Sequence, residues 1–243
     1  MSADATTFSA LSSCAGGGPP LLLEACGVGV RYGAITALAQ ADMALARGEA
    51  VGVVGSSGSG KSTLLYCLAG LVPATFGQVL LDGGALPLAG TEDSARLRRR
   101  RFGFVFQNGL LVADLTVLEN VALPLLLDGW PRRAALSRAS QELAGLGLAE
   151  LTDRFPGAVS GGQAQRAAIA RALVAAPDVV FADEPTGALD TGNSAAVLDL
   201  LLSAVRQRGA ALLLVTHDLT LAARMDRVLT VTDGRVEPAA GRP

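Results

Sequence analysis

Residues 55–63 read Gly55-Ser56-Ser57-Gly58-Ser59-Gly60-Lys61-Ser62-Thr63. This is G-x-x-x-x-G-K-[ST], with an apolar run before it (Val51-Gly52-Val53-Val54) and a leucine-rich run after it. Strand, glycine loop and helix in that order make a phosphate cradle. Glycines let backbone N–H groups curl around phosphate oxygens, and the helix start adds unpaired N–H groups and the positive end of its dipole. Lys61 would reach the outer phosphates and the Ser62 hydroxyl would sit on Mg²⁺. Lys61 is the only lysine of the chain; every other basic residue is arginine. A compact ammonium does in a tight loop what a planar guanidinium cannot.

A second anchor is Val179-Val180-Phe181-Ala182-Asp183-Glu184-Pro185. An apolar strand delivers two carboxylates to its C-terminal end, where ligands collect in open α/β sheets. Neighbouring strand side chains point opposite ways, so the pair divides its work. Asp183 suits Mg²⁺ reached through the metal's waters, and Glu184 suits a general base for an attacking water. Pro185 is expected to keep Glu184 extended. The third motif is Ser160-Gly161-Gly162-Gln163. Ser160 and Gln163 have capping-box spacing, yet two glycines in a first helical turn cost about 1 kcal/mol each against alanine when fully helical. They make sense where something must approach the backbone closely. His217, the only histidine, follows the apolar run 213–215. Tyr32 suits either packing at a strand end or stacking on a base.

These residues need a scaffold, and the hydrophobic pattern supplies one. Residues 21–31 and about 35–46 read as strands joined by a turn at Gly33. A strand at 77–82, a short helix at 91–101 and a strand at 102–106 follow the phosphate loop and its helix at 64–69. From about 108 to 158 the pattern turns helical (115–127, 132–146, 149–154), with breaks expected at Pro124, Pro131 and Gly145. A helix at 161–174, a strand at 179–182, a helix at 191–206, a strand at 211–215 and a strand pair near 228–236 complete the order. The expected fold is α/β, of the P-loop NTPase type. It has a mostly parallel core sheet covered on both faces, an N-terminal antiparallel β subdomain and an inserted helical subdomain.

Composition sets the outer bounds. At 243 residues, half of them apolar, the chain has material for one domain with a real core. Residues 1–20 are small, polar and glycine-rich, and read as a disordered tail ahead of a domain at 21–243. Leu11-Ser12-Ser13-Cys14 has the look of a lipoprotein cleavage box, but no basic start or apolar core precedes it, so export is not expected. A net charge of −2 leaves no electrostatic footprint for nucleic acid. Arg96 and Arg98 to Arg101 read as the solvated last turn of a helix. Three cysteines without metal-ligand spacing fit a reducing compartment. No apolar run is long enough to span a bilayer, so membrane work would fall to a partner.

Taken together, the phosphate loop, Gln107, Ser160-Gly161-Gly162-Gln163, Asp183-Glu184, Ala188-Leu189-Asp190 and His217 resemble the nucleotide-binding subunit of ABC transporters. The resemblance spans roughly residues 21–237. It implies ATP and Mg²⁺ as ligands and a homodimer that holds two ATP between its chains. Ser160, Gly161, Gly162 and Gln163 of one chain would then face the γ-phosphate bound by the other. Gln107 would sense Mg²⁺ as a third metal contact beside Ser62 and Asp183, and would join Glu184 and His217 in catalysis. Asp190 would cross the dimer interface, His217 would touch the γ-phosphate, and Tyr32 falls where the family stacks adenine. Residues 182–190 and the run 102–107 are similar to the lipoprotein-release, macrolide-export and antimicrobial-peptide-export group. The implied role is an ATPase that powers a separate transmembrane permease, in the cytoplasm at the inner face of the cell membrane. The alternative is the ATPase of a non-transport signalling or cell-division complex.

Overall fold

The computed structural model describes residues 21–107, 109–187 and 191–238. Asp190, with Ala188 and Leu189, lies outside them, as does the N-terminal stretch. Two long strands open the chain, β1 (Leu21–Tyr32) and β2 (Ile35–Ala46), then β3 (Ala50–Val54) and helix α1 (Lys61–Leu68). Next come β4 (Phe76–Leu81), the two-residue β5 (Gly84–Ala85), α2 (Glu92–Arg101) and β6 (Phe102–Phe106). A helical stretch follows, with α3 (Val117–Leu127), α4 (Arg132–Gly145) and α5 (Gly161–Leu173). The chain ends through β7 (Val179–Asp183), α6 (Thr191–Arg208), β8 (Ala211–Val215), α7 (Leu219–Ala222), β9 (Arg227–Thr232) and β10 (Arg235–Pro238).

All ten described strands join one sheet, ordered β5-β4-β1-β2-β10-β9-β3-β8-β7-β6. The β9-β3-β8-β7-β6 run is parallel, whereas β1, β2, β4 and β5 pair antiparallel. A single parallel pair, Arg235 with Gln40, joins the two portions. Alternate residues of the central strands feed two different cores. Val180, Ala182, Leu212 and Leu214 pack with α3 to α6, while Val179, Phe181, Leu213 and Val51 pack with α1 and the antiparallel strands. That is the signature of a sheet buried on both faces.

Two local expectations give way. Pro124 does not break its helix but lies inside α3. The lost N–H costs one bond, while the Thr116–Glu119 capping box and the burial of Val117, Val121, Ala122 and Leu125 hold the helix across it. The arginine cluster is not a solvated last turn either. Arg98 donates to the carbonyl of Gly70 (2.9 Å), Arg100 pairs with Asp128 (2.9 Å), and Arg101 bridges Asp82 and Asp178. Arg47 joins the same two aspartates from the β2–β3 turn, so this network ties the antiparallel strands to the parallel core.

Candidate nucleotide site

Parallel register brings the chemistry to one edge. Val53, Val215, Asp183 and Phe106 are successive neighbours across β3, β8, β7 and β6. The segments leaving those strands carry the phosphate loop, His217, Glu184 and Gln107. The loop is shaped by its glycines. Gly55 (φ 154°) and Gly60 (φ 109°) hold backbone that L side chains rarely adopt. A Cβ on Gly55 would stand 2.3 Å from the carbonyl oxygen of Val231, and one on Gly60 would stand 2.5 Å from that of Ala37. A Cβ on Gly58 would meet nothing within 4 Å, so the loop is open on that side.

Helix α1 starts at Gly60 with no side-chain cap, leaving its first N–H groups available to an anion. Lys61 is buried, and its ammonium donates back to the carbonyls of Gly55 (3.0 Å) and Ser56 (2.8 Å). No carboxylate among the described residues pairs with it. The buried Ser59 hydroxyl also lacks a partner. A buried cation without a counter-ion beside free N–H groups fits a phosphate chain.

Asp183 is buried at the end of β7, and both its oxygens are held from α1. Ser62 Oγ donates to Oδ1 (3.2 Å) and the Tyr66 hydroxyl donates to Oδ2 (2.8 Å). Burial first, and then the Asp183 carboxylate, push the Tyr66 phenol up to about 12, so it stays a donor at neutral pH. No cluster of three or more His, Cys, Asp or Glu side chains among the described residues could hold a metal by itself. A hydroxyl and one carboxylate beside a phosphate cradle is instead the hard-oxygen set on which Mg²⁺ is shared with a nucleotide.

Glu184 is not extended as expected. Its φ is 46°, in the left-handed region, and its carbonyl accepts from Gly187 N (3.1 Å), so the chain turns sharply off the strand. Its own N–H still donates to the carbonyl of Val215 (2.9 Å). Proline disfavours the right-handed helical region for the residue before it, and the left-handed region satisfies the tight turn instead. Such strain costs about 1–3 kcal/mol and gathers at functional sites. The turn delivers the carboxylate to His217, whose Nδ1 is 2.9 Å from both oxygens. Thr216 Oγ1 makes a longer contact at 3.5 Å.

Gln107 follows β6 directly, and its amide packs on Gly187, where an added Cβ would come within 2.9 Å of Nε2. Ser160 and Gln163 form the capping box at the start of α5: Gln163 N donates to Ser160 Oγ (3.3 Å) and Ser160 N to Gln163 Oε1 (2.8 Å). Neither these two nor the glycines between them bond to the phosphate loop among the described residues. A Cβ on Gly162 would meet nothing within 4 Å. Tyr32 is half exposed at the end of β1, next to the exposed Ile35. Loop, Ser62, Asp183, Glu184 and His217 are thus joined in one place; Ser160 to Gln163 and Tyr32 face outward.

Tyr66, Gln165 and Arg171 carry parts of this arrangement that the sequence reading did not single out. Gln165 Nε2 donates to the carbonyl of Phe106 (3.3 Å). Arg171 donates to the carbonyls of Gly109 (2.7 Å) and Leu110 (2.8 Å). Together they tie α5 to the chain on either side of Gln107. The signal for Tyr66 was its position four residues after Ser62, on the same helical face.

A sheet edge carrying a phosphate loop, a buried aspartate held by two hydroxyls and a glutamate beside a histidine has the make-up of a P-loop ATPase. The chain belongs to the ABC transporter family, whose model matches residues 38–187. It is 45% identical over 206 residues to the uncharacterized ABC transporter ATP-binding protein YbbA of Escherichia coli (strain K12), covering 85% of this chain and 90% of that one. It is 46% identical over 205 residues to the lipoprotein-releasing system ATP-binding protein LolD of Syntrophotalea carbinolica, covering 83% and 89%. A dimeric post-hydrolysis structure of the ATP-binding cassette MJ0796 bound to ADP and Pi superposes with a TM-score of 0.80 at 33% identity, covering 91% of this chain and 100% of that one. The cassette cbiO1 of Clostridium perfringens, part of the complex cbiONQ, gives 0.79 at 28%, covering 90% and 87%. The protein is an ATP-hydrolysing ABC transporter subunit whose ligands are ATP and Mg²⁺.

Proposed function

We propose that this subunit drives a permease of the export or lipoprotein-release type by closing head-to-tail with a second copy around two ATP. The split of the site carries the reading. Ser160 and Gln163 hydrogen-bond each other across the first turn of α5, and a Cβ on Gly162 would meet nothing within 4 Å. An N–H-rich helix start kept free of Cβ atoms suits the γ-phosphate in a partner's loop. Within one chain, Lys61 and the loop would hold the phosphates, while Ser62 and Asp183, with Gln107 beside them, would hold Mg²⁺. The metal, when bound, neutralises charge on the transferred phosphoryl group. Glu184 would take the proton of the attacking water, and His217 would keep its carboxylate aimed from 2.9 Å. Tyr32 would stack on the adenine.

The permease has a seat of fitting chemistry. An apolar groove of about 310 Å³ runs between β6, α3 and α5, lined by Phe104, Phe106, Leu110, Leu123, Pro124 and Leu127. Leu110 and Leu127 stand exposed on it. Among the described residues no helix is long and apolar enough to cross a membrane. In this reading the membrane-spanning part belongs to the permease, and this chain works at the inner face of the membrane.

Mixing chains tests the shared site. Lys61→Ala and Ser160→Ala chains, each inactive alone, should regain ATPase activity together, because one of the two mixed sites then has an intact loop and an intact Ser160. No recovery at any mixing ratio would refute the head-to-tail arrangement.

A further inference from the structure

The geometry points to Tyr66 as a positioning residue for the metal: its hydroxyl pins Oδ2 of Asp183 so that Oδ1 and the Ser62 hydroxyl would be presented to Mg²⁺ and its waters as a fixed pair. The inference rests on the metal role proposed for Asp183 and Ser62. Ser62 and Tyr66 are one turn apart on α1, so their side chains leave the same face of the helix. Both reach the same carboxylate, one oxygen each, at 3.2 and 2.8 Å. A carboxylate held at only one oxygen could swing about its Cβ–Cγ bond; held at both, it cannot.

Tyr66 is itself held firmly. Its ring packs with the core cluster around α1, and only the hydroxyl tip carries polarity. Its carbonyl accepts from Leu71 N (2.9 Å) and Val72 N (3.2 Å), which closes the C-terminal end of the helix. Asp183 is buried, so its orientation depends on protein donors rather than on water. The Ser62 hydroxyl keeps its lone pairs while it donates to Oδ1, so it would offer them to the metal without releasing Asp183, and Tyr66 would secure the other oxygen. Partners of this outer kind commonly change metal affinity by 10–100-fold.

The test replaces Tyr66 with Phe, which removes one oxygen and keeps the ring. Both the parent and the variant carry Glu184→Gln, so that ATP is not consumed during binding. Mn²⁺ affinity in the presence of ATP, read by electron paramagnetic resonance, should fall roughly ten-fold in Y66F. Fluorescent-ATP affinity in EDTA and the urea midpoint should stay near the parent values. 4-Aminophenylalanine at position 66 returns a donor to the same place and should recover most of the loss. Mn²⁺ affinity within about two-fold of the parent, or failure of the aminophenyl chain to recover it, would overturn the assignment. Asp183→Asn separates the two levels of argument. If it abolishes Mn²⁺ binding while Y66F does not weaken it, only the Tyr66 role falls; if it binds Mn²⁺ like the parent, the metal role of Asp183 falls as well.

Discussion

Gly162→Ala sets intrachain stability against interchain function. Gly162 is the second residue of α5, and a Cβ there would meet nothing within 4 Å. It is also absent from the positive-φ positions, so alanine carries no backbone strain. Removing glycine's freedom in the unfolded chain at such a site is worth about 0.5–1 kcal/mol. For a domain of this size that raises Tm by about 1–4 °C. The same methyl would stand between the α5 N–H groups and the partner's phosphate, where losing one such donor costs about 10²–10³ in rate. Calorimetry and steady-state ATPase assays on one preparation read both effects. A higher Tm with the parent ATPase rate would show that nothing approaches Gly162, and the shared-site reading would fail. A lower Tm would show that the space around it is not open.

Two further outcomes follow from the geometry. Glu184→Gln keeps the shape beside His217 but removes the base, so ATP-dependent dimerisation should persist while turnover falls about 10²–10⁴-fold; single-turnover assays and gel filtration with ATP check this, and a parent-like rate would remove Glu184 as the base. Asp82 is held below its ordinary value of 3.8 by the hydrogen bond from Arg101, against opposing desolvation and with help from Arg47. The folded state therefore gives up its carboxylate to protonation later than the unfolded chain does, and the stabilisation present above 3.8 is lost as pH falls through the lower folded value. Asn tolerates the φ of 50° found there, so Asp82→Asn should lower the urea midpoint at pH 7 by an amount that shrinks under strong acid.

Where a residue's role follows from its immediate neighbours in sequence, the chain was legible. The apolar runs at 179–182 and 211–215 read as strands because each is bounded by turn chemistry, and the structure has them at Val179–Asp183 and Ala211–Val215. The phosphate loop read directly from its glycines. Long-range pairing was hidden. Arg101 reaches Asp82 and Asp178, and nothing local distinguishes it from a solvated arginine. Tyr66 sits in a leucine-rich helix and reads as core; only the packing of α1 on β7 turns its hydroxyl onto Asp183. Glu184 failed for a related reason. A proline rule constrains one backbone region, while the hydrogen bonds from Glu184 to Val215 and from Gly187 to Glu184 select among those that remain.

Helix α5 has a double allegiance. In the proposed dimer its first turn would face the partner's nucleotide, while Gln165 and Arg171, further along the same rod, grip the carbonyls of Phe106, Gly109 and Leu110 beside this chain's own Gln107. In the dimer proposed above, a rod of 13 residues therefore spans from one ATP to the other. A shift at Gln107 when one nucleotide loses its γ-phosphate would swing the helix end that clasps the second. The pair would fire as a coupled unit, with a Hill coefficient for ATP above one, and loosening the Arg171 grip would let the two halves turn over independently.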